Sequence, residues 1–246
     1  MEKYEIFKKA IEKGKFEGCK EGLLSIGLTI GSNRTAFKEL YTAYFTNESK
    51  YEHQPRRGPK IEFEFSRSRD VLIKRSELEL KFSTARFLEY MSLQVFCYGD
   101  IYPLGSVVEL DEMLFTKKFM RSSGVLKENG RILAVITGRF VPVDEGNKKH
   151  VIEYVATPFP SGKAPSGEKV TMFLNKVLIK NLVHSGYSDE KESEYVQELR
   201  EELVLSNKKS VAFLTDAEME DLASQKGVQT QKEVRVNREL IDGEVS

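Results

Sequence analysis

The feature that most constrains the fold of this 246-residue chain is a series of strand-like segments after Val107. Clusters of Gly, Pro, Asn and Asp separate these segments, which read GSVVEL, GRILAVITGRFVPV, HVIEYVATPF and KVTMFLN. Parallel strands need crossovers of a dozen or more residues, usually helical, and the spacing here favours direct connections instead. The pattern therefore predicts a compact antiparallel meander rather than βαβ units. Within it we expect His150 to open one strand and His184 to end another.

The first 97 residues show a different pattern, in which helical periodicity alternates with short strands. Helical spacing of apolar residues predicts three helices, over residues 1–13, 35–45 and 84–96. Ser32 can cap the second of them, and Leu23 to Ile30 fits either a short buried strand or a closely packed helix. Alternating apolar and polar residues predict strands over 61–65, 71–74 and 78–82. This part should consist of helices packed on a small antiparallel sheet.

A charged segment after the last strands has the pattern of a closing helix. Ser188 can cap it, Asp189 suits its positive N-terminus, and its buried stripe should include Tyr195 and Leu203. After it, Thr215 and Glu218 can form a capping box, and the polar tail beyond Gly227 frays or awaits a partner.

Together these elements predict an α+β fold. N-terminal helices on a small antiparallel sheet are followed by a compact antiparallel β meander closed by a C-terminal helix. We place domains at residues 1–97 and 98–205, followed by a short helix and a polar, disordered tail at 206–246.

Composition favours a protein of the cytoplasm. The chain is 40% hydrophobic and 31% charged, and it contains no run of about 18 apolar residues that predicts a membrane span. Its first fifteen residues alternate charge and hydrophobe, unlike a secretory signal peptide. Cys19 and Cys97 lie in apolar sequence, which fits reduced, packed thiols better than a disulfide.

Charge is unevenly distributed although the formal net charge is zero. Residues 1–97 carry 18 Lys and Arg against 14 Asp and Glu, and the remaining residues carry 20 against 24. The basic excess lies between His53 and Arg75, where arginines and lysines interleave with Phe63 and Phe65. Such a segment resembles a nucleic-acid surface. The phenylalanines, however, lie opposite the acidic residues of their strand and should be core, so nucleic-acid binding through residues 56–75 is a minor alternative.

Signatures of catalysis and metal binding are missing from the sequence. His53, His150 and His184 are isolated, without Cys or His at metal-ligand spacing, and no HExxH, GxSxG or CxxC pattern occurs. The stretch GLTIGSNRT lacks the lysine of a phosphate-binding loop, so its glycines are better explained by close packing. Asp111–Glu112 and Asp144–Glu145 lie in turn-like sequence, where solvated charge is the ordinary outcome. We therefore predict no catalytic residue, no metal and no cofactor.

Five segments occur in an order that resembles one family: PLGSVVEL, AVITGRF, VPVDEGNKKHVIEYVATPFPSG, FLN and GYSDEKESEYVQELREEL. This is a family of uncharacterised domains encoded beside LXG-type toxins in the type VII secretion loci of Gram-positive bacteria. The resemblance covers about residues 103–203, leaves residues 1–97 unassigned, and requires an insertion between Leu110 and Ile132. The matching positions are Pro103, Leu104, Gly105, Ser106, Gly138, Arg139, Tyr154, Pro160, Gly162, Gly186 and Tyr187.

The resemblance implies a non-enzymatic accessory protein of type VII secretion. Such a protein would bind an LXG-type toxin, and small helical secretion partners with it, as a chaperone or targeting adaptor in the producing cell. An immunity protein that neutralises the toxin's C-terminal domain is the alternative. Among the matching positions, Arg139 and Tyr154 are the candidates for contact with a partner; the glycines and prolines are most simply turn formers.

Overall fold

The computed structural model describes residues 2–16, 20–114, 127–128, 130–143, 149–163, 167 and 169–224. Two compact units emerge. The first contains Met1–Gly99, Leu199–Lys209 and Phe213–Thr215, and the second contains Asp100–Glu198, Ser210–Ala212 and the described residues from Asp216 onward. These units are groups of residues that contact one another in the structure. The predicted domains 1–97, 98–205 and 206–246 were based on the sequence pattern alone and stay a prediction.

Four helices build the first unit. They are α1 (Lys3–Ala10, extended by a π-helical turn at Ile11–Lys15), α2 (Lys20–Gly31), α3 (Arg34–Phe45) and α4 (Thr84–Tyr98). The stretch Leu23 to Ile30 is thus helical, and its glycines allow close packing. A Cβ on Gly27 would lie 2.3 Å from Cζ of Phe7.

The expected cap of the helix α3 is wrong by one residue. Asn33 is the N-cap, because its side-chain oxygen accepts from the backbone N–H of Ala36 at 3.2 Å. Ser32 instead donates its hydroxyl hydrogen to the Leu28 carbonyl within the preceding helix.

An antiparallel four-stranded sheet completes the first unit, in the order β1-β2-β3-β4. Its strands are β1 (Lys50–His53), β2 (Ile61–Phe65), β3 (Val71–Arg75) and β4 (Leu78–Phe82). The predicted alternation of β2 is confirmed, with Ile61, Phe63 and Phe65 buried. Strand β1 was not predicted, because its residues KYEH are half-exposed and carry no apolar period.

The second unit contains a larger antiparallel sheet. Its strands are β5 (Val107–Leu110), β6 (Lys127–Glu128), β7 (Arg131–Pro142), β8 (His150–Pro158), β9 (Met172–Leu174), β10 (Ile179–His184) and β11 (Lys209–Ser210). The main order is β10-β5-β7-β8-β11, with β6 beside β7 and β9 beside β8. The predicted α+β class is confirmed. Pairing of β10 with β5, the first strand of the sheet, is long-range and did not follow from strand spacing.

Two helices follow in the chain, α5 (Glu190–Leu205) and α6 (Asp216–Ser224). Asp189 rather than Ser188 caps α5, since its carboxylate accepts from the Glu192 N–H at 2.8 Å. The expected stripe is also partly wrong, because Tyr195 is 49% exposed whereas Leu203 is buried.

Arg200 is a buried residue of α5 that the stripe did not include. Its guanidinium donates to the carbonyls of Phe96, Cys97 and Gly99 at 2.5, 2.7 and 3.1 Å. These carbonyls end α4, where the helix dipole favours a cation.

Among the described residues, no helix combines the length and apolar character that crossing a bilayer requires. Several expectations fall outside the described residues: Cys19, the pair Asp144–Glu145, most of the connection between Leu110 and Ile132, and the tail beyond Gly227. Cys97 is a buried free thiol.

Candidate interaction surface

Tyr154 lies on β8 and its side chain is fully buried. Its hydroxyl donates to the Asp100 carbonyl at 2.9 Å and accepts from the Tyr102 N–H at 3.2 Å, and its ring stacks on that of Tyr102. Burial raises the pKa of this hydroxyl well above its usual value. These contacts fix the chain that enters the second unit. They also leave no exposed surface on Tyr154 for a partner to touch.

Arg139 lies on β7, and only 7% of its side chain is exposed. Its guanidinium forms a two-pronged ion pair with Glu192 and donates to the Tyr102 carbonyl at 3.5 Å. The guanidinium carbon also lies 5.2 Å from the ring centroid of Tyr195. Arg139 thus fixes the first turns of α5 against the sheet, and Tyr195 beside it remains exposed.

The Pro-Leu-Gly-Ser turn and the Gly-Tyr step, far apart in sequence, meet in the structure. A Cβ on Gly186 would lie 2.0 Å from the Leu104 carbonyl oxygen, so only glycine fits there. The Gly186 N–H donates to the buried Ser106 hydroxyl at 3.0 Å. The motif residues therefore form one backbone junction, with Leu104 and Tyr187 beside it.

Strand β10 continues from this junction along the edge of the larger sheet. Its inner side pairs with β5, with two register shifts that make six residues oppose four. One shift falls between Leu182 and His184, at Val183. All residues of β10 after Ile179 are exposed. A bulged strand does not follow strict alternation, which allows Leu182 and Val183 both to face solvent.

We define the edge patch as four apolar side chains along the β5–β10 edge and the adjoining junction. They are Leu104, Leu182, Val183 and Tyr187, exposed to 49, 41, 43 and 82%. Most large hydrophobic residues exposed in the described structure belong to the second unit, and these four lie along one edge of its sheet. Apolar side chains grouped in this way are typical of interaction sites.

Three glutamates form an acidic stripe on α5, which starts three residues after Tyr187. Glu190, Glu194 and Glu198 are exposed and lie four residues apart, so they share one face of the helix. Within the described residues, none of the three forms an ion pair, in contrast to Glu192. Lys191 is the single basic residue between Asp189 and Glu198.

The basic segment of the first unit is divided between opposite ends of its sheet. Arg56 and Arg57 lie in the β1–β2 loop, whereas Arg67 and Arg69 lie in the β2–β3 turn. Arg69 packs over Tyr44, with its guanidinium carbon 4.2 Å from the ring centroid.

The lysines of the basic segment form ion pairs within the first unit, and its phenylalanines are buried. Lys60 pairs with Glu52 and Glu62, and Lys74 pairs with Glu64. The rings of Phe63 and Phe65 are buried. The exposed arginines of the segment thus lie at two separate ends of the sheet, and its phenylalanines face the core.

The three histidines lie on three different strands. His53 ends β1, His150 opens β8, and His184 ends β10. Within the described part of the chain, no three His, Cys, Asp or Glu side chains are grouped to hold a metal ion.

Comparison with known proteins yields one match. A family model described as a domain of unknown function, DUF4176, matches residues 101–195, which is less than half of the chain. The match overlaps most of the segment that resembled a family in sequence, and it includes the junction, the edge patch and the start of the acidic stripe. No curated protein and no solved structure matches the chain. The family description names no activity, partner or pathway.

The two candidate residues that the sequence pointed to are buried in the structure, and the exposed residues of the edge patch were not among the candidates. Arg139 and Tyr154 stood out because they matched a motif, and both hold the second unit together. A signal for the edge patch was present in IKNLVH, where two adjacent apolar residues follow a lysine and an asparagine. Adjacent apolar residues in a strand indicate either burial on both faces or a bulge, and the structure has a bulge at Val183.

Proposed function

We propose that the protein is a non-enzymatic accessory protein of type VII secretion. It binds an LXG-type toxin in the cytoplasm of the producing cell, as a chaperone or targeting adaptor. The link to this pathway comes from the family resemblance of residues 103–203.

One structural observation supports a binding function. The edge patch exposes Leu104, Leu182, Val183 and Tyr187 at the junction built from the motif residues. Leaving apolar side chains in water forgoes about 1.5–3 kcal/mol for each that could be fully buried. A partner that covers the patch recovers part of this free energy. A protein partner is therefore the ligand that the second unit suits best.

An immunity protein is the alternative within the same pathway, and it differs in the part of the toxin that is bound. A chaperone binds the N-terminal LXG region and supports export. An immunity protein binds the C-terminal domain and protects cells that express that domain alone.

The test is binding of the full-length protein to separately purified N-terminal and C-terminal parts of the LXG-type toxin from the same locus. We expect a stable complex with the N-terminal part, measured by calorimetry, and loss of toxin export when the gene is deleted. Binding to the C-terminal part alone would establish the immunity alternative. Binding to neither part would remove the assignment to type VII secretion.

A further inference from the structure

We infer that the edge patch and the acidic stripe together bind a basic amphipathic helix of the partner protein. The apolar face of that helix covers the edge patch, and its lysines and arginines face the stripe. This inference names the surface and the partner chemistry for the proposed function and rests on it for the identity of the partner.

Strand addition is the usual way in which a sheet edge binds a peptide. Strand addition needs a regular row of free N–H and C=O groups. Strand β10 departs from regularity twice within six residues and carries Lys180 near its start. Bulges and edge lysines are devices by which native sheets prevent edge pairing. The backbone edge is thus protected, while the side chains of Leu182 and Val183 remain available.

A partner that contacts side chains rather than the backbone edge must match the shape of the edge patch. An amphipathic helix presents apolar residues at positions i, i+3, i+4 and i+7, which form a stripe rather than a point. The edge patch is also elongated, because Leu182 lies opposite Val108 whereas Leu104 lies at the Gly186 junction beyond β5.

The charge of the acidic stripe favours a basic partner. Glutamates at i and i+4 on a helix repel one another and cost about 0.2–0.5 kcal/mol per pair. Within the described residues the carboxylates of Glu190, Glu194 and Glu198 form no ion pair that would offset this repulsion. A basic partner beside the edge patch relieves it and is drawn to the site at low salt.

The experiment has two probes, each titrated into the full-length protein and its variants. The first is the N-terminal part of the LXG-type toxin. The second is a synthetic helical peptide with leucines on one face and lysines on the other, compared with the same peptide carrying glutamates. We expect the toxin fragment and the lysine peptide to bind, and the glutamate peptide to bind at least tenfold more weakly.

Two variants test the surface, each with a matched control. Leu182→Asp with Val183→Asp should weaken both probes about tenfold or more, since it removes apolar contact. Leu28→Asp is its control, because Leu28 is exposed to the same 41% but lies on α2 of the first unit. Lysines in place of Glu190, Glu194 and Glu198 should weaken binding and abolish most of its salt dependence. Lysines at the exposed Glu21, Glu48 and Glu77 are the control.

The outcomes separate the two proposals. If the lysine peptide binds and the toxin fragment does not, the surface stands and the identity of the partner is wrong. If the toxin fragment binds equally well to Leu182→Asp/Val183→Asp and to Leu28→Asp, the function stands and the surface is wrong. Failure of the lysine peptide to bind, or equal binding of the glutamate peptide, overturns the helix chemistry. Circular dichroism of each variant verifies that it is folded.

Discussion

The two antiparallel sheets differ in the side chains that they expose to solvent. In the first unit the solvent-facing side of the sheet carries cross-strand ion pairs, such as Lys74 with Glu64 at 2.6 Å and Lys60 with Glu52 at 3.3 Å. In the second unit the edge strand β10 exposes Leu182 and Val183. Strand β10 also pairs Lys180 with Glu109 of β5 at 2.9 Å, so the two sheets differ in their exposed apolar side chains rather than in ion pairing.

The interiors differ as well. The first unit has an aromatic core centred on Phe87, whose ring centroid lies 5.0 Å from that of Tyr44 and 6.4 Å from those of Phe63 and Phe65. The buried residues of β7 and β8 in the second unit are mainly aliphatic. Stability in the first unit should therefore depend on a few large side chains.

The largest expected effect follows from this aromatic core. Phe87→Ala removes a fully buried ring from the contact of four other aromatics and should cost about 3–5 kcal/mol of unfolding free energy. Phe159→Ala, in the second unit, is the control and should cost under about 1 kcal/mol, because Phe159 is 36% exposed. Urea unfolding followed by circular dichroism measures both. Equal losses would contradict the contrast between the two regions.

A smaller loss should follow from Arg200→Met, which keeps much of the side-chain volume and removes the charge. Three carbonyls at the end of α4 lose their donor, and hydrogen bonds to a charged group contribute about 1.5–3 kcal/mol each. We expect a net loss of about 3 kcal/mol in the same assay. Arg67→Met, at an exposed arginine, should change stability by less than about 0.5 kcal/mol. A neutral Arg200→Met would mean that these carbonyls find other donors.

The second unit contains a buried acidic side chain. Glu153 is 1% exposed on β8, and its carboxylate accepts from the Ser210 hydroxyl at 2.6 Å and from the Lys176 N–H at 2.9 Å. Loss of solvation raises the pKa of this carboxyl, and the Lys176 ammonium opposes the rise only in part.

The smallest expected effect is the pH dependence that Glu153 confers. A folded-state pKa above the unfolded value means that the folded protein binds the proton more tightly. The resulting stabilisation is full below the unfolded pKa and is lost as pH rises through the folded pKa. Glu153→Gln keeps an oxygen acceptor and does not titrate. The unfolding free energy of the wild type, relative to Glu153→Gln, should therefore fall as pH increases from about 4 to 8. A flat difference over this range would show that the pKa of Glu153 is not raised.

Much of the fold was predictable because its signals are local. The alternation around Phe63 and the apolar period through Phe87 each require only a few neighbouring residues to be interpreted. Pairing of β10 with β5 joins residues about 70 positions apart, as in Leu182 with Val108, and no local pattern encodes it. Burial of Arg200 escaped prediction for the same reason, since its partners are about 100 residues earlier in the chain.

The candidate site was less predictable than the fold. A motif match selects residues that a family shares, and here those residues include the buried Arg139 and Tyr154. Exposure of Leu182 depends on β10 lying at a sheet edge, which the strand order decides. An interaction surface is a property of three-dimensional packing, so its residues do not stand out by type or spacing.

The first unit is formed by segments that lie far apart in the sequence, and this affects when it can complete its folding during synthesis. Met1–Gly99 leaves the ribosome well before Leu199–Lys209 and Phe213–Thr215, which belong to the same unit. Phe213 packs its ring edge-on against Tyr41, with ring centroids 5.5 Å apart. At about 5–20 residues per second, the roughly 100 intervening residues take about 5–20 s to synthesise. During that interval the nascent N-terminal region lacks the Phe213 ring against Tyr41 and the Arg200 guanidinium against the carbonyls at the end of α4, so it cannot complete its packing until the C-terminal segments have been made.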